Sequence, residues 1–442
     1  MRNYLEQLQA AGDLLIVDRE VDPRFELAAV TRAAQRSGDR ALLFRKVKGS
    51  HFPVVTNVYG SRRRLAAMIG TEPAGFCRRF VELTGSAPAQ GTPWMTEVET
   101  PCDLHEGKLS DLPQITYFER DAGPYLTSAI FLAKEPDTGV PNLSFHRSMI
   151  VSDSELRIRL GSTHDLARYQ AKAESRGEAL EAAILVGTSP ALFLAACASV
   201  PYEANELQVA AQLTGRPVPM RRAKTIDLMV PADAEIVIEG RILPHLRRPE
   251  GPFGEFMGYY VPVGDNHVFE VTHVSWRRGA AFHSLLCQSP EDIYPLEYAI
   301  ASRIYRYLAQ QVPGVLDVAV KSALLATVVK VKQQYDGHAR HALLAAMGAH
   351  LDYNKMVIAV DEDVDIHDYE DIFWAYLTRG RADTRAWIIN DVPGFYRDPL
   401  KDHWGRLLID ATKPRGREEE FERKRIPGEM EVRLEDYLGK GA

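Results

Sequence analysis

The chain has 442 residues, and a single hydrophobic core rarely serves more than about 250–300 residues, so we expect two or three domains. Hydrophobic residues make up 45% and charged residues 26%, which is typical of a globular protein. The net charge of −7 argues against a nucleic-acid-binding protein. No stretch approaches the roughly 20 apolar residues of a membrane span, and no apolar signal core follows Met1, so we expect neither a span nor export.

The cysteines are few and scattered. No two have CxxC spacing, so neither a disulfide framework nor a structural zinc site is expected. Free thiols are typical of a reducing compartment, and we expect the protein in the cytoplasm. The four positions are Cys77, Cys102, Cys197 and Cys287.

The first hundred residues alternate between helix and strand patterns. Strand patterns over 13–17 and 41–44 flank a helix pattern over 24–35. This alternation predicts a small α/β unit at the start of the chain.

From about residue 115 to 290 the patterns shift toward strands. Several strands in close succession favour a sheet that closes into a barrel. Between them, Ser189 and Pro190 predict the start of a helix that runs to about Val200, because Ser suits the N-cap and Pro the first turn. The strand candidates are 142–152, 183–186, 225–230, 235–239, 267–276 and 281–286.

The clearest helix pattern spans 290–311, where apolar residues recur at helical spacing and Pro295 is placed in the first regular turn. After this helix the chain again alternates. Strands are predicted over 315–320, 328–331 and 356–360, and helices over 339–347 and 369–378.

A dense group of charged and turn residues lies at 248–255, with the sequence RPEGPFGE. Glu250 and Glu255 flank a Gly-Pro-Phe-Gly turn, and turn residues can direct both side chains into one space. Paired carboxylates in one pocket push their pKa values apart, so that one can hold a proton near neutral pH. A solvated acidic turn is the alternative interpretation.

Asn142 and Arg147 fall within one predicted strand, five positions apart. A regular strand would put them on opposite faces, so a shared site requires a bulge or a strand end between them. His164 follows in a Gly-Ser-Thr-His run. Taken alone, His164 is more simply an ordinary histidine near the N-terminus of a helix.

Glu203 and Glu206 are predicted one helical turn apart, and a solvated helix face would explain both. Together, however, Asn142, His164 and Glu206 supply an amide oxygen, an imidazole and a carboxylate. This mixture suits Mn²⁺ or Mg²⁺ better than zinc or copper. Three protein ligands would leave positions open for a phosphate and water.

Five motifs occur in the order found in the UbiD family of decarboxylases, which the chain resembles from its N-terminal helix to Asp391. They are Asn-x4-Arg at 142–147, Gly-Ser-x-His at 161–164, the Asn-Glu pair at 205–206, PEGPFGE at 249–255 and NKMVIAVDEDVD at 354–365.

The resemblance implies a mixed α+β fold. It has an N-terminal α/β domain (1–112), a central flavin-reductase-like split β-barrel that binds the cofactor (113–290), a linker helix (291–312) and a C-terminal α/β oligomerisation domain with a tail (313–442). It also implies a homodimer or a higher homo-oligomer.

The resemblance further implies prenylated FMN as cofactor, with its phosphate held by Mn²⁺ or Mg²⁺ and a nearby K⁺, and a UbiX-type flavin prenyltransferase as its supplier. Asn142, His164 and Glu206 match the family's metal-ligand positions. Lys355 matches a lysine that meets the cofactor phosphate, and Arg147 also borders the cofactor.

Arg147, Glu250 and Glu255 match the family's catalytic Glu-Arg-Glu network, with Glu255 as the proton donor. A guanidinium can bind a carboxylate through two parallel hydrogen bonds, which would tether Glu250 and orient the substrate. Ser289 and Ile293 are expected to border the substrate. The implied reaction is reversible decarboxylation of an aromatic, heteroaromatic or α,β-unsaturated acid, whose identity and physiological direction the sequence does not give.

Two alternatives compete with this interpretation. An FMN-binding oxidoreductase of the flavin-reductase type would use a similar barrel without the metal set or the paired glutamates. A non-catalytic, cofactor-carrying subunit would keep the fold without needing the Glu-Arg-Glu network.

Overall fold

The computed structural model describes residues 1–85, 93–321, 323–350, 353–392, 394–395, 398–400, 405–428, 431–433 and 436–437. The first part alternates helix and strand, as predicted. Its elements are α1 (Arg2–Ala10), β1 (Leu14–Val17), α2 (Glu26–Ser37), β2 (Ala41–Phe44), β3 (Val54–Thr56), α3 (Arg62–Met68) and α4 (Phe76–Gly85).

The middle of the chain is rich in strands, again as predicted. The strand expected over 142–152 is divided into two strands, and Ser189 occupies the N-cap position of its helix without a side-chain capping hydrogen bond. The elements are β4 (Met95–Glu97), β5 (Leu104–Gly107), β6 (Tyr125–Leu126), β7 (Ile130–Lys134), β8 (Pro141–Phe145), β9 (Ser148–Ser152), β10 (Glu155–Ile158), α5 (Asp165–Glu174), β11 (Leu180–Val186), α6 (Pro190–Cys197), α7 (Glu206–Thr214), β12 (Val218–Arg222), β13 (Met229–Pro231), β14 (Ile236–Glu250), β15 (Phe253–Gly254), β16 (Tyr260–Val261), β17 (Gly264–Arg277) and β18 (Phe282–His283).

The last part returns to alternation. Its first helix has the predicted bounds, but Pro290 rather than Pro295 occupies the first turn, and Pro295 lies inside the helix. The elements are α8 (Pro290–Gln311), β19 (Val315–Lys321), β20 (Ala326–Val331), α9 (His338–Ala349), β21 (Met356–Val360), α10 (Tyr369–Arg379), β22 (Ala386–Ile389) and β23 (Arg406–Asp410).

The central part is built on a nine-stranded antiparallel sheet. Its path runs β6-β9-β10-β17-β14-β11-β7-β8, and β5 pairs with β17 at its side. Over the described residues the hydrogen-bonded path therefore has two ends, β6 and β8. The class of fold is mixed α and β, as expected.

The N-terminal sheet takes its last strand from much later in the chain. Its order is β1-β2-β3-β18, and β18 pairs with β3 in parallel. Conversely, β4 and β5 precede residue 112 but pair with β12 and β17. The division of the chain at residues 112 and 290 stays a prediction.

The C-terminal sheet has the order β19-β20-β21-β23-β22. Helix α8 packs against β19, α9 and α4, so it connects the C-terminal sheet to the N-terminal part. The periodic residues Ile300, Ile304 and Leu308 are buried on its inner face, which confirms the predicted helical pattern.

All four cysteines are free thiols. Across the described residues, no helix combines the length and the apolar character needed to cross a membrane.

We expect Ile304→Ala to lower the free energy of unfolding by about 2–5 kcal/mol, because it opens a cavity in the core between α8 and the C-terminal sheet. Tyr307→Ala, on the exposed face of the same helix, should change it by no more than about 0.5 kcal/mol. Urea unfolding of both variants tests the packing of α8, and equal effects would contradict it.

Candidate active site

An interruption of the central sheet positions Arg147. Strand β8 ends at Phe145 and β9 begins at Ser148, so His146 and Arg147 lie outside both ladders. The alternation of faces is broken here, and Asn142 and Arg147 line one cavity. The predicted strand end between them is confirmed.

Arg147 forms a two-pronged ion pair with Glu250. Its Nε and Nη2 donate to Oε1 and Oε2 of Glu250 at 3.0 and 2.8 Å. Glu250 is the last residue of β14 rather than a turn residue, which corrects the sequence interpretation, since the ladder with β17 continues to this point.

Glu250 is fully buried, and two further side chains satisfy it. The Tyr125 hydroxyl donates a hydrogen bond to Oε1 at 2.8 Å, and the Asn266 side-chain amide donates one to Oε2 at 2.9 Å. The sequence analysis missed both residues, because their positions along the chain carry no signal that they would meet Glu250. Four donated hydrogen bonds hold Glu250 as an acceptor.

Glu255 accepts a hydrogen bond from Nη1 of Arg147, so one guanidinium joins both glutamates. Unlike Glu250, Glu255 lines the cavity. The backbone before it is fixed where Gly254 N–H donates to Asp121 at 2.9 Å. A Cβ atom at residue 254 would lie 2.4 Å from the ring of Phe118, so glycine is required for this approach.

The charge of Arg147 is strongly stabilised. Burial opposes the charge, but the carboxylates of Glu255 and Glu250 outweigh it and raise the pKa of Arg147 above its usual range. The guanidinium carbon also lies 5.0 Å from the ring centroid of Phe253. Arg147 is therefore a permanent cation between two carboxylates.

The cavity has a volume of about 520 Å³. The sequence-predicted residues on its wall are Asn142, Arg147, His164, Glu206 and Glu255. The structure thus brings the predicted metal set and two members of the Glu-Arg-Glu network to one space.

The predicted metal residues come from three different elements. The Asn142 amide on β8 donates to Oε1 of Glu206 at 3.0 Å, and Leu143 N–H donates to Oε2 at 3.0 Å. His164 occupies the N-cap position of α5. Glu206 begins α7, so Glu203 precedes the helix and is not one turn away on the same face, contrary to expectation.

Burial raises the pKa of Glu206 to about 7. A nearby cation would favour its charged form, so the site suits a metal ion electrostatically. Over the described residues, no three His, Cys, Asp or Glu side chains are clustered for a metal. The predicted set contains only two such side chains, and its third member is the amide of Asn142.

Three predicted residues lie elsewhere. Lys355 donates to Asp398 at 2.8 Å and is not among the residues that line the cavity. Ser289 is buried at the N-cap of α8, and Ile293 packs on the C-terminal core. Neither lines the cavity, although Leu296 and Ile300, which share a helical face with Ile293, do.

Another part of the wall comes from the C-terminal part of the chain and was missed by the sequence analysis. Its residues are His350, Tyr353 and Phe395. Burial lowers the pKa of His350 to about 4, so this histidine is neutral at physiological pH.

Sequence profiles of the 3-octaprenyl-4-hydroxybenzoate carboxy-lyase (UbiD) domains match most of the chain. The N-terminal domain matches residues 5–84, the Rift-related domain residues 92–290 and the C-terminal domain residues 294–411. Anhydromevalonate phosphate decarboxylase of Methanothermobacter thermautotrophicus is 33% identical, over 96% of this chain and 99% of that protein.

Solved structures of UbiD-class enzymes are similar throughout. HmfF of Pelotomaculum thermopropionicum with FMN is 34% identical, with a TM-score of 0.92 and 99% of each chain covered. An evolved dimeric form of HmfF with prFMN gives 33% and 0.88, again with 99% of each chain covered. The 3,4-dihydroxybenzoic acid decarboxylase AroY of Klebsiella pneumoniae gives 26% and 0.89, over 100% of this chain and 99% of its own.

We expect Tyr125→Phe to lower the free energy of unfolding by about 1.5–3 kcal/mol, because the lost hydroxyl donates to a buried carboxylate. Tyr117→Phe is the matched control, since that buried hydroxyl meets only the neutral Thr127 and Ser284 and should cost about 1 kcal/mol. Denaturant unfolding measures both. A smaller loss for Tyr125→Phe than for Tyr117→Phe would contradict a stronger hydrogen bond to Glu250 than to the neutral hydroxyls.

Proposed function

Because the chain belongs to the UbiD family and is an enzyme of the carboxy-lyase class, we propose that it catalyses prenylated-FMN-dependent, reversible decarboxylation of an unsaturated or aromatic carboxylic acid. One observation carries the proposal. Arg147 joins Glu250 and Glu255 at the wall of the cavity that Asn142, His164 and Glu206 also line.

Glu255 is the proton donor in this proposal. It lines the cavity, whereas Glu250 is buried behind Arg147 and accepts four hydrogen bonds, so a proton on Glu250 would displace a donor. Arg147 positions Glu255 and presents its positive charge to the substrate carboxylate. Glu250 acts on Arg147 and does not reach the substrate.

Prenylated FMN, when bound, supplies the electron sink that breaking the bond to CO2 requires. Its phosphate would lie near Asn142, His164 and Glu206, which would hold Mn²⁺ or Mg²⁺ with an adjoining K⁺. The FMN and prFMN in the HmfF structures support a flavin here. Lys355 is paired with Asp398. It would bind the cofactor phosphate only after leaving Asp398.

The central sheet would serve as the split barrel that binds the flavin, and a UbiX-type prenyltransferase would supply the cofactor. We also place the protein in the cytoplasm, where its four free thiols would stay reduced. Co-expression with such a prenyltransferase, followed by a visible absorption spectrum, tests whether the cofactor is bound.

The substrate belongs to the aromatic, heteroaromatic or α,β-unsaturated acids. Relatives act on acids of different kinds, since one is named for anhydromevalonate phosphate and another for 3,4-dihydroxybenzoic acid. A CO2-release screen of the cofactor-loaded enzyme across these three classes identifies the substrate.

We further propose that the C-terminal part forms a homodimer or higher homo-oligomer through α10. Tyr369, Phe373 and Leu377 recur at four-residue spacing on this helix and are exposed, with Leu377 at 73%. An apolar stripe of this kind suits a symmetric contact between copies of the chain.

Glu255→Gln should reduce CO2 release by at least about 10²-fold, because the amide keeps the size of the side chain but cannot donate its proton as an acid. Flavin absorbance should stay at the wild-type level, since Glu255 is not in the metal set. His164→Ala should instead lose bound metal and flavin, and CO2 release should fall as a consequence of that loss. Wild-type CO2 release and solvent-hydrogen exchange in Glu255→Gln would exclude it as the donor.

The double variant Phe373→Glu, Leu377→Glu should convert the oligomer into smaller species, because charge on the apolar stripe disfavours its burial. Leu344→Glu, at an exposed leucine of α9, is the control and should leave the mass unchanged. Light scattering after size exclusion measures both. A monomeric wild type, or an unchanged double variant, refutes an interface on α10.

A further inference from the structure

Ser144 and His146 line the cavity but belong to neither the Glu-Arg-Glu network nor the predicted metal set, and they form a row of hydrogen bonds with Asn142 and Arg159. The hydroxyl of Ser144 lies 2.9 Å from Oδ1 of Asn142 and 2.9 Å from Nε2 of His146. Nδ1 of His146 lies 3.1 Å from the backbone oxygen of Arg159. Asn142 and Ser144 are two positions apart on β8 and so share a face.

His146 is held in place on several sides. It is 97% buried, and its ring meets the ring of Phe131 edge-on at 5.4 Å and lies 5.2 Å from that of His164. His146 lies between β8 and β9, two positions after Ser144, and its ring lies on the same side of the chain as the Ser144 hydroxyl. The His146 ring therefore adjoins two predicted metal ligands: Asn142, through Ser144, and His164 directly.

The protons of this row can be assigned from its partners. A carbonyl oxygen only accepts, so Nδ1 of His146 carries a proton, and the neutral ring then offers Nε2 as an acceptor. Ser144 has one hydroxyl proton and two acceptors within reach, Oδ1 of Asn142 and Nε2 of His146. A cation on Oδ1 repels that proton and directs it to Nε2.

We propose that Ser144 and His146 are positioning residues for the divalent cation, an inference that rests on the proposed metal set. When the cation binds, the Ser144 hydroxyl donates its hydrogen bond to Nε2 of His146, so Oδ1 of Asn142 is free to coordinate while its amide stays on Glu206. Partners behind metal ligands commonly fix ligand orientation in this way.

The same row continues to the catalytic half of the site. Arg159 donates from Nη1 to Asn266 at 3.1 Å, and Asn266 donates to Glu250 at 2.9 Å. His146 is thus joined through the backbone and side chain of Arg159 to the carboxylate that holds Arg147. One connected set of hydrogen bonds supports both halves of the cavity.

The test is a titration of Mn²⁺ into protein loaded with FMN, followed by the electron paramagnetic resonance of free Mn²⁺. Ser144→Ala and His146→Phe should weaken Mn²⁺ binding by about 10–100-fold, the usual effect of losing such a partner. Ser144→Thr keeps the hydroxyl and should restore the wild-type affinity. Thermal unfolding of the metal-free proteins shows whether each variant is folded.

Ser128→Ala is the matched control, because this buried hydroxyl donates to a backbone oxygen outside the row, and Mn²⁺ binding should not change. Wild-type affinity in Ser144→Ala, or a Ser144→Thr variant as weak as Ser144→Ala, overturns the inference and leaves the metal set intact. A wild-type protein that binds no Mn²⁺ overturns the metal set itself, and the inference with it. If His146→Phe does not fold, the two Ser144 variants decide the result.

Discussion

The site depends on one buried guanidinium shared by two carboxylates. Removing Arg147 from water would cost several kcal/mol if it stood alone, and an unpaired charge at such a depth is strongly destabilising. Glu250 and Glu255 compensate it from two sides, and Tyr125 and Asn266 complete the hydrogen bonding of Glu250. Arg147 thus has two carboxyl partners, and the loss of one pairing would leave the other in place.

The proposed role of Glu255 as proton donor follows from the unequal surroundings of the two glutamates. Glu250 ends a ladder strand and is enclosed by donors, whereas Glu255 follows the short strand β15 and reaches the cavity. Each of the three residues stands where regular β-structure stops. The long β14–β17 pair supports Glu250 up to its last residue, and the breaks in regular strand at Arg147 and Glu255 let those side chains line the cavity.

The sequence predicted the candidate site residues better than the residues that hold them in place. Periodicity located α8 to the residue, and motif order brought Asn142, His164 and Glu206 to the cavity, because those signals are local or shared with a family. It could not find Tyr125 or Asn266, whose role arises only from pairing between distant strands. Ser289 and Ile293 are not among the residues that line this cavity, and their expected contact with the substrate stays a prediction.

The ends of two helices adjoin the residues of the proposed metal set. His164 occupies the N-cap position of α5 and Glu206 is the first residue of α7, so residues at two helix N-termini line the cavity that Asn142 also lines. Helix N-termini favour negative charge through their free N–H groups. A divalent cation held by these residues would add to that field, and a phosphate is the group that both would attract.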